Sequence, residues 1–147
     1  MGIGRSTNVN QQGNYMPFPV SAEFIVAEEL KLGASLPSTF RDYLGKSNGG
    51  EIAVLDDVWQ IIPVFDQSDR KRAARTTSNL SRELAAAKGW SNFPHEAIPF
   101  AANGTGNILV FLKVEEMQYG ELVYLWNHED GSLEKVADSF RKLNIAN

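Results

Sequence analysis

The sequence predicts an α+β domain in which helices pack on a mixed, mostly antiparallel sheet. Three observations predict it. Helical patterning comes first, over residues 21–47. Strand-like apolar runs then dominate, with one helical segment near residue 80 between them. Short Gly-, Asn- and Asp-bearing breaks join several of these runs, so strands do not alternate one for one with helices as they do in a parallel sheet.

The elements follow in order. Residues 1–17, rich in Gly, Asn, Gln and Ser, read as a flexible leader, and residues 18–147 as a single domain. The leader has no apolar core of the secretory kind. It does match the short myristoylation pattern, with Gly2 after Met1 and Ser6 at the right offset. Ser21 is placed to cap a first helix whose face carries Phe24, Ala27, Leu30 and Leu32, and Gly33 stops it. Pro37 suits the first turn of a second helix bearing Phe40, Tyr43 and Leu44, which Ser47-Asn48-Gly49-Gly50 ends. Ile52 to Leu55 and Val58 to Val64 are strands joined by Asp56-Asp57. A polar, basic stretch then becomes helical from about Asn79, with Leu80, Leu84 and Ala87 inward and Gly89 as the stop. Ile98 to Ala101, Ile108 to Val114 and Leu122 to Trp126 are strands. A short helix capped by Asp138 or Ser139 closes the chain and buries Phe140 and Leu143.

The composition narrows the function classes. The 147 residues are 43% hydrophobic and 22% charged, a globular balance, and the formal net charge of -4 does not suggest a general nucleic-acid or membrane binder. There is no cysteine, which excludes disulfides, thiolate metal sites and a cysteine nucleophile, and fits a reducing compartment. No apolar run approaches the roughly 20 residues that span a bilayer.

The stretch Ala102-Asn103-Gly104-Thr105-Gly106-Asn107 raises the question of a phosphate cradle. A dinucleotide fingerprint needs three glycines and a following helix. Here the third position is Leu109, and the residues that follow are strand-like. The stretch is read as a turn, since Asn103-Gly104 is a favoured hairpin pair. His95 and His128 have no partner at helix-face ligand spacing, and no Gly-x-Ser-x-Gly elbow announces a nucleophile. His128-Glu129-Asp130 reads as a solvated turn or part of a binding rim. Asp56, Asp57 and Asp66 bracket a strand and read as an acid–base set or as turn residues. Arg70, Lys71, Arg72 and Arg75 form a basic run without interleaved aromatic rings, read as a solvated loop or helix start rather than a phosphate-backbone site. Trp59, Trp90 and Trp126 suit core burial or interface anchoring.

Five stretches in order carry a resemblance. They are "LPSTFRDYLGKSNGGE", "VWQIIPV", "IPFAANGTGNILVF", "GELVYLWNHED" and "VADSFRKL". Together, from Ala22 to Leu143, they resemble the SUKH superfamily, which contains fungal cell-wall-synthesis regulators and many bacterial toxin-immunity proteins. The chain departs from that pattern at Asn107 and Asn127, where Asp is usual, and at Leu112, where an acidic residue is frequent. Its turns are thus less acidic than the pattern.

The resemblance implies a non-enzymatic, cofactor-free and metal-free protein. It implies a cytoplasmic immunity protein that binds and neutralises a cognate toxin domain, such as a nuclease, without itself touching nucleic acid or membrane. A regulatory protein-interaction scaffold of the fungal type is the alternative, and a hydrolase or nucleotide enzyme is disfavoured by the failed motifs. Candidate partner-contacting residues are Asp56, Asp57, Trp59, Asn103, Thr105, Asn107, His128 and Glu129, on loop ends that one sheet could bring together.

Overall fold

The structure is a computed structural model that describes residues 17–146. The expected leader and its myristoylation pattern lie outside the described residues, apart from Pro17. Among the described residues, four α-helices, α1 (Ala22–Leu32), α2 (Ser38–Leu44), α3 (Arg70–Arg75) and α4 (Leu80–Ala87), accompany eight strands. The strands are β1 (Glu51–Val54), β2 (Asp57–Ile61), β3 (Ala97–Ala102), β4 (Ile108–Glu115), β5 (Gln118–Tyr119), β6 (Val123–Trp126), β7 (Leu133–Ala137) and β8 (Asn144–Ala146). They form one sheet in the order β7-β6-β4-β3-β2-β1-β8, with β5 paired to β4 off that path. Every pairing between these strands is antiparallel, and a lone bridge between Ser35 and Gln118 is parallel. The α+β class holds.

Alternation along the strands sorts side chains to two faces. Ile52, Val54, Trp59, Ile61, Leu109, Phe111 and Val123 meet residues of α1, α2 and α4 in the main core. Ile108, Val110 and Trp126 point the other way, into a smaller cluster with Ala97, flanked by Phe93 and Tyr124. This second face explains why β4 opens with four consecutive buried residues. A bulge lies between Pro99 and Ala101, so both Phe100 and Ala101 belong to the main core, and Pro99 is tolerated inside a central strand beside it. Phe40 of α2 stands 5.3 Å from the ring of Phe100, 5.3 Å from Phe111 and 5.1 Å from Phe140.

Several expected details change. Helix α1 turns Ile25, Glu28 and Leu32 inward, and Leu30 is 78% exposed. Ser21 occupies the capping position without a side-chain bond, while Gly33 ends the helix at φ 77° as expected. Pro37 precedes α2 rather than opening it. The β1–β2 turn is Leu55-Asp56, at φ 53° and 63°, and Asp57 is the first residue of β2. Of the two readings of the basic run, the structure takes the helix start: Asp69 accepts the Arg72 amide at 2.8 Å and opens α3. Residues 133–137, expected to lead into a helix, form a strand that covers the edge of β6. The expected terminal helix is a short 3-10 turn over Phe140–Lys142, which does bury Phe140.

Three polar side chains brace long-range junctions, and none was visible as such in the sequence. Glu28, 1% exposed, accepts the amides of Phe65 at 3.3 Å and Ser81 at 2.7 Å, so it ties α1 to the end of the β2 segment and to the first turn of α4. Asn48 is buried and bonds both the carbonyl and the amide of Val64, each at 2.8 Å. Glu121 accepts the Ser38 amide and hydroxyl, each at 2.9 Å, and the Thr39 hydroxyl. It supplies from the far end of the chain the cap that Pro37 cannot.

Two predictions follow from these braces. Glu28→Ala leaves two amide donors without their acceptor in the interior and lowers unfolding stability by about 3 kcal/mol, read as a lower urea midpoint at unchanged denaturant slope. Glu121 is coupled to pH. Burial pushes its carboxyl pKa up, but bonds from Thr39 and Ser38 outweigh this, and the net value lies below the usual one. Its contribution is therefore complete above the unfolded-state carboxylate pKa and is lost as pH falls through the folded-state value. Glu121→Gln should cost about 0.5–1 kcal/mol at neutral pH. That gap should close as thermal melts are taken to acid pH, and a gap that widens there would be incompatible with the cap.

Candidate functional site

The strand order fixes what meets what at one end of the sheet. In the antiparallel run β7-β6-β4-β3-β2-β1, the β1–β2, β3–β4 and β6–β7 turns all fall on the same side. They bring together residues from three distant parts of the sequence and form a polar rim.

Hydrogen bonds join the three turns. Asp57 accepts its neighbouring Val58 amide at 2.8 Å through one oxygen and the Asn103 side-chain amide at 2.8 Å through the other. Asn103 Oδ1 accepts the Thr105 amide at 3.1 Å and its hydroxyl at 2.6 Å. The Asn107 amide donates to the Thr105 hydroxyl at 3.2 Å. Asn107 Oδ1 then reaches His128, 3.1 Å from its backbone nitrogen and 2.7 Å from ring Nδ1. A backbone N–H can only donate, so the shared atom of Asn107 is its oxygen. The ring nitrogen facing that oxygen must carry the proton. In the neutral ring, Nε2 is left as an acceptor.

The last turn is organised in the same way. Asn127 accepts the Glu129 amide through Oδ1 at 2.8 Å and the Gly131 amide through its carbonyl at 2.7 Å. Asp130 accepts the Ser132 amide at 2.9 Å, and bonds from Ser132 hold its carboxyl below the usual carboxylate range. Two glycines are required here. Gly106, at φ 101°, lies under the His128 ring, and a Cβ would stand 3.0 Å from it. Gly131, at φ 75°, lies against Asn92, and a Cβ would stand 2.9 Å from that side chain. The contact with Asn92 connects the rim to the second face, where Trp126 Nε1 donates to the Asn92 carbonyl at 3.1 Å. Trp90, 37% exposed, stacks on Trp126 at 5.8 Å.

Of the eight expected contact residues, Asp57, Asn103, Thr105, Asn107 and His128 form one bonded chain. Asp56 and Glu129 are exposed on the same turns. Trp59 does not belong with them. It is 1% exposed and donates its indole N–H to the Val54 carbonyl at 3.1 Å, so it is a core residue and offers no surface to a partner. Its strand position sends it inward, and the same alternation sends Val58 outward, at 50% exposure, beside Leu55 at 58%. These two apolar side chains next to the rim went unnoticed in the sequence, though the period-two pattern of β2 contained the signal. Asp66 brackets the strand with Asp56 and Asp57 but lies past the other end of β2, where it is buried, donates its amide to the Thr76 hydroxyl and accepts the Ser68 amide, so it does not pair with them as acid and base.

The rim offers carboxylate and amide oxygens and one imidazole. Among the described residues, no three His, Asp or Glu side chains gather as a metal site. No helix of the described residues is long and apolar enough to cross a membrane. Fold and rim together define an α+β domain with a turn-built polar surface at one end of its sheet. The model of the SMI1 / KNR4 family (SUKH-1) matches residues 19–143, and the chain belongs to that family. A search of curated proteins gave no significant match.

The bonding of Asn107 predicts a tautomer. In the free protein, the neutral His128 ring should carry its proton on Nδ1, as read from imidazole nitrogen shifts. Asn107→Ala should return the ring to the ordinary preference for a proton on Nε2. Unchanged shifts in that variant would show that Asn107 does not set the tautomer.

Proposed function

We propose that the protein is a cytoplasmic, non-catalytic immunity protein that binds a cognate toxin domain through this rim and blocks it. Membership of the SMI1 / KNR4 family supports a toxin-immunity or regulator-type role in general. The single observation that favours direct binding is the rim. Side chains from three turns are locked by their own bonds, so little ordering remains to be done when a partner arrives. The β1–β2 and β6–β7 turns carry Asp56, Asp57, Glu129 and Asp130 and no Lys or Arg between residues 55–57 or 127–132. Such a surface favours a basic partner and speeds encounter by electrostatic steering. A nuclease domain, which must itself hold a polyanion, has the complementary surface. Exposed Leu55 and Val58 add apolar area beside the charges.

The direct test is co-expression with the product of the adjacent gene, followed by affinity measurement on the purified pair. The wild-type chain should protect cells and bind in a fixed ratio. The pair of changes Asp56→Asn and Glu129→Lys should weaken binding by about tenfold or more, corresponding to about 1.4 kcal/mol, with melting temperature nearly unchanged because both side chains are exposed and outside the bonded chain of the rim. Full affinity in the double variant would remove the rim from the interface.

A further inference from the structure

The basic run at residues 70–75 has no part in the rim. It lies past the far end of β2, whereas the rim lies at the start of that strand. Residues 66–82 carry five cations against Asp66 and Asp69, a formal +3. The whole chain is -4, which leaves -7 on the remainder. The charge of the molecule is thus inverted locally.

A groove of about 520 Å³ opens beside α3 and is bounded by the end of α1 and the start of α4. Its walls include Lys31 and Arg82, its apolar surface is given by Phe65, Ala73 and Ala74, and Thr77 stands at its edge. No Asp or Glu lines it. The Lys31 ammonium lies 5.4 Å from the centre of the Phe65 ring, so cation and apolar surface are presented together. The walls are fixed from beneath. Glu28, one turn before Lys31, spends its two oxygens on the Phe65 and Ser81 amides and so ties the α1 wall to the Phe65 floor and to the start of α4.

We infer that this groove is a docking surface for a short acidic protein segment bearing apolar side chains. Charge complementarity and the mixed lining select that occupant. The groove offers two exposed cations around an apolar floor, which suits carboxylates alternating with aliphatic side chains. Residues 1–16 of this chain contain no Asp or Glu, so the leader lacks the complementary charge. A nucleic acid is disfavoured because a long polyanion would also meet the net -7 of the remainder, and the one ring in the groove already lies under Lys31. This surface is independent of the rim and of what the rim binds.

The test uses the full chain and a fluorescent peptide of alternating Glu and Leu, with a Lys–Leu peptide and a single-stranded thymidine oligonucleotide as comparison probes. The Glu–Leu peptide should bind with an affinity that falls as salt rises, and the Lys–Leu peptide should not bind. Amide shifts in the wild-type protein should change at Phe65, Ala73, Ala74, Thr77 and Ser81 and not at residues 103–107. The pair Lys31→Gln and Arg82→Gln, both exposed positions, should weaken binding by about fivefold or more. Shifts confined to other surfaces, unchanged affinity in the double variant, or equal binding of the oligonucleotide would overturn the proposal. Self-association lost in the same double variant, with no response to the peptide, would assign the groove to a second copy instead.

Discussion

The contact on which the rest of the structure depends is that of Phe40 with three other rings. Phe100 and Phe111 belong to the two central strands and lie nearly parallel at 4.1 Å, while Phe140 comes from the last turn of the chain. Phe40 enters from α2 and is fully buried among them. One side chain therefore joins the N-terminal helical unit, the middle of the sheet and the C-terminal segment. Loss of a buried ring of this kind costs about 3–5 kcal/mol, a large part of the stability of an ordinary domain. It also fixes geometry. α2 cannot rotate without displacing the rings, and the bulge at Phe100 is what lets that ring share the main core with its neighbour Ala101. The order of the strands, and with it the meeting of the three rim turns, depends on this central packing.

The polar braces are consequences of the same packing. Helices laid over one face of a sheet leave junctions where backbone amides have no regular partner. Glu28, Asn48 and Glu121 fill three such junctions, each across a long sequence separation. A buried carboxylate is costly when unpaired, and Glu28 is tolerable because both of its oxygens are occupied by amides. Tyr43 plays a smaller part: its hydroxyl donates to the Gly49 carbonyl at 2.6 Å and lies 3.0 Å from where a Cβ on Gly50 would be. Gly50 is thus required by a close approach as well as by φ 96°, and Gly49 by φ 129°.

Much of this was legible in the sequence, and the failures have physical reasons. The α+β class, α4 with its inward Leu80, Leu84 and Ala87, the central strands and the turn at Asn103-Gly104 follow from local periodicity and turn chemistry. Leu30 was misplaced because apolar spacing on a short helix fits more than one face, and tertiary packing chose the face with Glu28. β7 was missed because it buries none of its residues fully and its Leu133 is exposed, so Leu133, Val136 and Ala137 show no period-two alternation. Of the site, the turn residues were legible from their types. Their bonding to one another was not, since residues 57, 103 and 128 meet only through the strand order. Trp59 suited core burial or a contact role by residue type, and its strand alternation settles it for the core.

The departure at Asn107 clarifies what the rim is built to do. An Asp there could accept the same two His128 bonds through one oxygen, so the turn would keep its shape with either residue. The difference is charge: a carboxylate would add a negative charge to the rim, whereas the Asn amide keeps the same bonds without one. Shape and charge are therefore separable at this position. The backbone of the β3–β4 and β6–β7 turns is set by glycines at positive φ and by short-range bonds from Asn103, Thr105 and Asn127, and that of the β1–β2 turn by Leu55 and Asp56 at positive φ. Outward groups such as Asp56, Glu129 and Leu55 take no part in those bonds and can change without altering the frame. A frame of this kind, rigid within and free to vary at its outer side chains, is suited to one fold meeting many different partner surfaces.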